Sequence, residues 1–177
     1  MVGPMEGFAD AWGSSFISTV YNINRESANY IISFVLIGMC IGSILLPYIA
    51  DKTKSFYEIT LVSALLMSLA FLYLLSRLGN ISTLYITCFI IGIASAYQSV
   101  ILSKITTLVQ SNLSGTAAAL GNMIIMSFGF FFHNVIGTVI NYHGLWFNQG
   151  QDTVHSVSAY ISGIAIIPIM LICACIG

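Results

Sequence analysis

The sequence predicts an all-α membrane protein with six transmembrane helices, and two observations carry that prediction. Hydrophobic residues make up 58% of the 177 residues and charged residues only 6%, whereas a soluble domain carries roughly 25% charged residues. The few charged residues also separate long apolar runs, most of which approach the ~20 residues that cross the hydrocarbon core of a bilayer. We therefore expect a multi-pass integral membrane protein, with one six-helix transmembrane domain over residues 1–177.

Each predicted helix is bounded by polar residues that interrupt the apolar runs. The six helices cover about residues 8–21, 28–50, 59–76, 83–103, 116–142 and 156–177. The first is the shortest and most polar, and the second contains no charged residue. The stretch from 105 to 151 has no acid or base except histidine and is too long for one span. The polar segment 110–115 supplies the break, with Ser114 as the expected N-cap of the fifth helix.

The positions of the basic residues predict which side of the membrane the two termini face. An even number of spans places both termini on one side of the membrane. Lys52, Lys54 and Lys104 fall in loops on that side, whereas Arg25 and Arg77 face the other side. Because cytoplasmic loops carry an excess of Lys and Arg, three against two favours cytoplasmic termini. The start of the chain has no basic n-region, so no cleavable signal peptide is predicted.

Several function classes lack their sequence patterns. The chain shows no nucleophile–base pair, no phosphate-binding loop and no paired carboxylates at a useful spacing. The four cysteines lie within apolar runs without a Cys-x-x-Cys spacing, so we expect neither a metal site nor a disulfide framework. The net charge of -1 gives no basic surface for nucleic acid. We therefore predict no enzyme activity, no cofactor and no nucleic-acid partner, and a lipid bilayer as the surroundings.

The run from Gly38 to Lys54 carries the first family resemblance. Gly38 and Gly42 lie four residues apart in an apolar helix that ends at Asp51-Lys52. The run resembles the helix-to-loop signature of the major facilitator superfamily, Gly-x-x-x-Asp-Arg/Lys-x-Gly-Arg/Lys. The match is partial. Three positions depart from the signature: Pro47 and Lys54 stand where glycines are expected, and Ser55 stands where a basic residue is expected.

Three further stretches resemble one branch of that superfamily, the phagosomal nutrient transporters of intracellular bacteria. The segment 8–13, Phe-Ala-Asp-Ala-Trp-Gly, is similar to the opening of their seventh helix. The segment 114–122 is similar to the start of their eleventh helix. The segment 132–137, Phe-His-Asn-Val-Ile-Gly, stands where the branch usually has a Gln-Pro pair followed by glycine. The resemblance implies the carboxy-terminal half of a major facilitator fold, a 3+3 inverted repeat of six helices.

The resemblance also implies a function. Such transporters move a small polar solute, here an amino acid or similar metabolite and in some members a nucleoside, by alternating access. Transport would be coupled to a proton or ion gradient, and import into a bacterium across its inner membrane is favoured. Because the solute lies between two halves, we expect this half to pair with a missing amino-terminal six-helix half or with a second copy of the chain. A fragment of a longer gene is the other possibility.

The resemblance also implies which side chains contact the solute, because the first and fourth helices of each half line the cavity, flanked by the second and fifth. The candidate substrate-binding residues are Ser14, Ser15, Ser18, Tyr21, Tyr97, Gln98, Asn122 and Asn134. Tyr97-Gln98 is the best pair on chemical grounds, because an amide donates and accepts while a phenol adds an aromatic wall and a donor. The alternative for Gln98 is a hydrogen bond to a neighbouring helix.

Two ionisable residues are candidates for proton coupling. His133 lies well inside a predicted helix, and an imidazole titrates near neutral pH. Asp10 lies near the start of the first helix, where an acid is also favoured by the helix dipole and by water. The alternative for His133 is a neutral imidazole that bridges two helices. Asp51 and Lys52 are candidates for a conformational lock that pairs with neighbouring helix ends, or form a plain solvated turn.

A second function class stays open: a membrane scaffold or interaction protein without transport activity, or an inactive gene fragment. Transport predicts that polar side chains converge on one face of the half, and a scaffold predicts that they scatter as isolated hydrogen bonds between helices. The side chains that decide this are Ser14, Ser18, Tyr97, Gln98 and Asn122. A channel is less favoured, since no ring of like charges is visible.

Overall fold

The computed structural model describes residues 8–147 and 157–176, without the side chains of Asp10, 143–147 and 174–176. These residues form helices and contain no strand. In chain order they are α1, a π-helical turn Phe8–Trp12 followed by Gly13–Tyr21; α2, Arg25–Thr53; α3, Phe56–Leu75; α4, Ile81–Ser95 and then Tyr97–Leu108; α5, Ser114–Phe147; and α6, Val157–Ile176. The predicted loop at 143–155 lies mostly outside the described residues.

Four of these helices are long and apolar enough to cross a membrane. They are α2, α3, α4 taken over Ile81–Leu108, and α5 over Ser114–Tyr142. The apolar part of α6, Val157–Cys173, is shorter, and the described part of α1 spans about 21 Å at 1.5 Å per residue. The all-α class and the membrane-length apolar helices agree with the sequence, whereas six crossings stay a prediction.

The ends of α2 differ from the expected bounds. The helix begins at Arg25 and ends at Thr53, about one turn beyond the apolar run at each end. Glu26 lies in its first turn and Lys52 in its last, where the helix dipole favours an acid and a base respectively. Lys54 then ends the helix in a left-handed conformation, with φ 59°. The predicted lock residues are therefore part of the helix and not of a loop.

Glycines bring the backbones of α2 and α4 into direct contact. A Cβ added to Gly38 would clash with the Phe89 carbonyl oxygen, and one added to Gly92 would clash with the Val35 carbonyl oxygen. A Cβ on Gly42 would lie 2.7 Å from the carbonyl oxygen of α4 residue Ile93. Small residues that let backbones approach are the usual basis of helix association in membranes. This glycine seam holds the centre of the bundle together.

Most helix contacts of the bundle have a counterpart when α1–α3 are exchanged with α4–α6. The contact of α1 with α2 corresponds to that of α4 with α5, α2 with α3 to α5 with α6, and α3 with α4 to α6 with α1. The contact of α3 with α6 corresponds to itself. The α2–α4 seam has its counterpart in Trp12 of α1, which packs on Gly137 of α5.

Basic side chains mark two ends of the bundle. Lys104, near the end of α4, lies with its Nζ 4.6 Å from the ring centroid of Phe56 at the start of α3. Arg77, after α3, donates to the carbonyl oxygen of Val20 in α1 at 3.3 Å. We call the end with Lys52, Lys54 and Lys104 the Lys end, and the end with Arg25 and Arg77 the Arg end. Arg25, Lys52 and Lys104 lie inside helices and not in the predicted loops. Which end is cytoplasmic stays a prediction.

Candidate functional site

Two interruptions of regular helix each carry a buried polar atom without a hydrogen bond to a described residue. One is Nε1 of Trp12, in the π-helical turn of α1. The other is Oε1 of Gln98, directly after the break in α4. A third such atom, the hydroxyl oxygen of Ser68, lies within regular helix in α3. Because buried polar atoms in native proteins are almost always bonded, each calls for a physical reason.

The irregular start of α1 places Trp12 against α5. Gly13 follows the π-helical turn, and a Cβ there would lie 2.8 Å from the Phe8 carbonyl oxygen, so the chain passes close to its own preceding turn. The indole covers Gly137, where an added Cβ would lie 2.9 Å from Trp12 Cζ2. The Trp12 and His133 ring centroids are 5.9 Å apart at an interplanar angle of 36°. A side chain, rather than backbone, thus fills the α1–α5 contact.

The break in α4 lies at Ala96. The Ala96 N–H donates to the Ile93 carbonyl at 3.2 Å, and the Ser99 N–H donates to the Ala96 carbonyl at 3.0 Å. Both bonds span three residues instead of four, so the helix tightens locally. The Ala96 methyl group lies against Gly42, 2.8 Å from the position of an added Cβ. The backbone therefore changes geometry where the glycine seam ends and where Tyr97 and Gln98 begin the second part of α4.

Three of the predicted substrate-binding side chains bond to backbone carbonyls. Ser18 Oγ donates to the Ile23 carbonyl at 2.8 Å, just past the end of α1. Tyr21 Oη donates to the Leu74 carbonyl of α3 at 2.7 Å and so ties two helices together. Asn134 Nδ2 donates to the Phe130 carbonyl one turn earlier at 2.9 Å. In this structure the bonds of Ser18 and Asn134 are local, and the bond of Tyr21 joins α1 to α3.

The five residues that discriminate transport from a scaffold occupy different surroundings. Tyr97 is fully buried in the hydrophobic core, and Ser14 and Gln98 are half-buried. Ser18 has the local bond described above, and Asn122 is exposed on α5. Only Tyr97 and Gln98 lie side by side, through their positions in the chain. Convergence of all five on one face stays a prediction.

The predicted ionic groups lie at the surface. Asp51 and Lys52 are exposed in the last turn of α2. His133 is exposed on α5, with one side turned to Trp12. The side chain of Asp10 lies outside the described residues, so its assignment stays a prediction. Among the described residues, no three His, Cys, Asp or Glu side chains are grouped to hold a metal ion.

The outward side of α5 carries a polar stripe that the sequence analysis did not single out. Ser127, Asn134, Thr138 and Asn141 are all exposed, and their spacing of seven, four and three residues puts them on one side of the helix. We call these four residues the α5 polar face. A cleft of about 330 Å³ beside it is lined partly by Asn134 and Thr138. Ser127 and Asn134 already donate to carbonyl oxygens one turn earlier, at 2.8 and 2.9 Å. Polar groups at membrane depth are costly in lipid, so Thr138 and Asn141 favour water or a polar partner beside this face.

Sequence reasoning recognised Trp12 only as part of a family motif and missed most of the α5 polar face. The signal for the polar face was available in the three-and-four-residue spacing of its side chains within an apolar helix. The burial of the Trp12 indole nitrogen had no local signal, because it depends on a glycine in α5 that is distant in sequence.

Comparison with protein-family models, with curated proteins and with solved structures finds no match to this chain.

Proposed function

We propose that this chain is one half of a secondary transporter, which moves a small polar solute across a membrane by alternating access. The solute would bind beside the irregular parts of α1 and α4. An amino acid or similar metabolite is the proposed class, and a proton or ion gradient the proposed driving force. A bacterial inner membrane with cytoplasmic termini is the proposed location.

The observation that carries the proposal is that the two interruptions of regular helix lie in one pair of corresponding helices. Helices α1 and α4 are counterparts in the exchange of α1–α3 with α4–α6. Transporters built from inverted repeats place their binding sites at interrupted helices in corresponding positions of the two repeats. Here each interruption also brings a buried polar atom without a described partner, Nε1 of Trp12 and Oε1 of Gln98.

The chemistry of these two atoms suits a small polar solute. An indole N–H can only donate and an amide oxygen can only accept, so a solute that carries both an acceptor and a donor satisfies either of them. A bound solute would supply the bonds that both atoms lack. Of the residues proposed from the sequence, Gln98 keeps the strongest support, because Ser18, Tyr21 and Asn134 already bond to backbone.

The α5 polar face supports a second element of the proposal, a partner. A half-transporter presents polar groups to its other half and to the water-filled cavity between them. The proposed partner is a complementary six-helix half or a second copy of the chain. His133, exposed beside Trp12, is the proposed coupling group, with Asp10 as a second one; Asp51 and Lys52 are the proposed lock at the Lys end.

One observation favours a different function, a membrane scaffold without transport. The hydrogen bonds of Ser18, Tyr21 and Asn134 all end on carbonyl oxygens of the same chain. A scaffold needs such bonds to hold its helices and needs no polar atom reserved for a solute.

Uptake by proteoliposomes that contain this chain tests the proposal. Labelled amino acids and nucleosides are offered with an inward proton gradient, and again after addition of an uncoupler. We expect gradient-dependent uptake that falls about tenfold in Gln98→Met, because a lost hydrogen bond to a buried group costs about 1–3 kcal/mol. Trp12→Phe removes the other orphaned group and should also lower uptake.

The matched control is Gln110→Met, which makes the same change at an exposed position between α4 and α5. Its uptake should stay within twofold of the original chain. Equal uptake by Gln98→Met and Gln110→Met would contradict the proposed site. If a protein shown to be folded gives no uptake, two interpretations remain: a membrane scaffold without transport, or a half-transporter that works only with a separate partner.

A further inference from the structure

A cleft at the Lys end of the bundle separates α2 from α3. It has a volume of about 410 Å³, within the roughly 300–1,000 Å³ typical of ligand sites. Its walls and floor are mainly apolar: Leu46 and Ile49 from α2, Val62 and Leu66 from α3, and Ile93 and Ala94 from α4, with Ser63 of α3 as a polar exception. Val62 is 60% exposed and Leu66 43% exposed. The cleft therefore opens sideways, toward the space that lipid occupies around an apolar helix.

The polar lining of this cleft is concentrated where α2 ends and α3 begins. Thr53, Ser55 and Glu58 line it there. The two hydroxyl protons are already donated to backbone carbonyls, from Thr53 to Ile49 at 2.8 Å and from Ser55 to Thr53 at 3.3 Å. Hydroxyl and carboxylate oxygens still accept hydrogen bonds. The Glu58 carboxylate is exposed and forms no ion pair with a described residue. This end of the cleft thus offers acceptors to a donor that carries positive charge.

Two cations lie beside that acid in the chain. Lys52 and Lys54 are both exposed at the end of α2, at the Lys end and outside the apolar run. Anionic headgroup phosphates attract lysines at this depth. The occupant that fits has a long apolar part in the cleft, a cation near Glu58 and an anion near the lysines.

We propose that the α2–α3 cleft binds one phospholipid with a primary ammonium in its headgroup. One acyl chain lies between Leu46, Val62 and Leu66, the ammonium donates to Glu58, and the phosphate lies toward Lys52 and Lys54. A primary ammonium has three N–H donors, whereas the trimethylammonium of phosphatidylcholine has none and phosphatidylglycerol has no cation. The site therefore selects phosphatidylethanolamine over these two lipids. This inference is independent of the proposed transport function.

Native mass spectrometry of the full chain in detergent tests this site. Phosphatidylethanolamine, phosphatidylcholine and phosphatidylglycerol with the same acyl chains are added separately, and retained lipid is counted. We expect one tightly retained phosphatidylethanolamine, with about a tenfold preference over phosphatidylcholine. Glu58→Gln should reduce that preference about threefold, as expected for a partly exposed charge pair, and should leave retention of phosphatidylglycerol unchanged or higher.

Two tryptophan substitutions separate the cleft from general lipid adhesion. Val62→Trp fills the cleft and should abolish the tightly retained lipid. Leu69→Trp is the matched control, because Leu69 is 64% exposed on the same helix and does not line the cleft. Circular dichroism and elution volume establish that both variants fold. Equal retention in the two variants, or equal retention of all three lipids by the original chain, would overturn the proposal. So would a dimer that Val62→Trp dissolves, because a second copy would then occupy the cleft.

Discussion

Helices α2 and α5 correspond to each other when α1–α3 are exchanged with α4–α6, yet their inward and outward sides make different contacts. Inward, α2 lays Gly38 on the backbone of α4, while α5 lays Gly137 on the indole of Trp12. Both helices have the same buried share of their spanning window, 28%. Outward, α2 presents a regular stripe of aromatic and branched apolar residues. That stripe comprises Tyr30, Phe34, Ile37, Ile41, Ile44 and Tyr48.

The exposed side of α5 carries the polar face beside exposed apolar side chains such as Met123, Phe130 and Phe131. Two helices of equal exposure thus present different chemistry, which means that exposure alone does not identify a lipid-facing surface. The α2 stripe suits hydrocarbon, with tyrosines near the two ends as in membrane-interface belts. The α5 polar face suits water or a partner. The inward contacts of the two helices differ as well. The α2–α4 contact joins two backbones, which cannot move aside, whereas the α1–α5 contact is made by one side chain, which can.

The largest effect is expected at the seam. In Gly38→Leu the new side chain meets the backbone of α4, which cannot move aside as a side-chain end does. We expect destabilisation by about 3 kcal/mol or more, beyond ordinary overpacking, and loss of folded protein. Thermal unfolding in detergent measures this. A stable Gly38→Leu would mean that the α2–α4 contact is loose.

The counterpart contact should tolerate substitution better. Gly137→Ala places a Cβ 2.9 Å from Trp12 Cζ2, and the indole can tilt, so we expect a loss of about 1–2 kcal/mol. Trp12→Phe removes the ring atom that clashes. The double variant should therefore lose less stability than the sum of the two single variants, with a coupling of at least about 0.5 kcal/mol. Additive losses would show that Trp12 does not cover Gly137.

The difference between the exposed sides of α2 and α5 can be tested by removing an amide from α5 and adding one to α2. Asn134→Leu removes one exposed amide from α5 and should change the stability of the isolated chain by about 0.6 kcal/mol or less, while reducing uptake or association with a partner. Ile41→Asn places an amide in the apolar stripe of α2 and should lower membrane insertion. Insertion assays and crosslinking measure these effects. Equal behaviour of the two variants would remove the distinction between the faces.

The smallest effect is expected at Gly115, in the first turn of α5. A Cβ there meets nothing within 4 Å. Gly115→Ala should shift stability by less than about 0.5 kcal/mol, in the stabilising direction, because the helix-propensity difference between Gly and Ala is smaller in a first turn than in a helix interior. The same thermal unfolding assay applies. A large loss would reveal a contact with a residue outside the described part of the chain.

The positions of most helices along the chain were accessible from sequence, but the candidate site was not. Charge-free apolar runs located α2 to α5 because charged side chains are costly at membrane depth. The break at Ala96 was missed, since Ala-Tyr-Gln is compatible with continuous helix. Likewise, Ser18 and Tyr21 were predicted to bind solute, but their bonds to Ile23 and Leu74 depend on where the chain turns and which helix lies alongside.

Composition and spacing by themselves determined that the chain is helical and apolar, with its five basic residues outside the apolar runs, because these properties follow from transfer energies along the chain. They also placed glycines and asparagines on helix faces. Only the tertiary structure decided which glycine meets backbone and which meets an indole, and which polar side chains stay uncovered. Those outcomes depend on contacts between residues far apart in sequence. The sequence of a single helix does not determine how that helix packs against another.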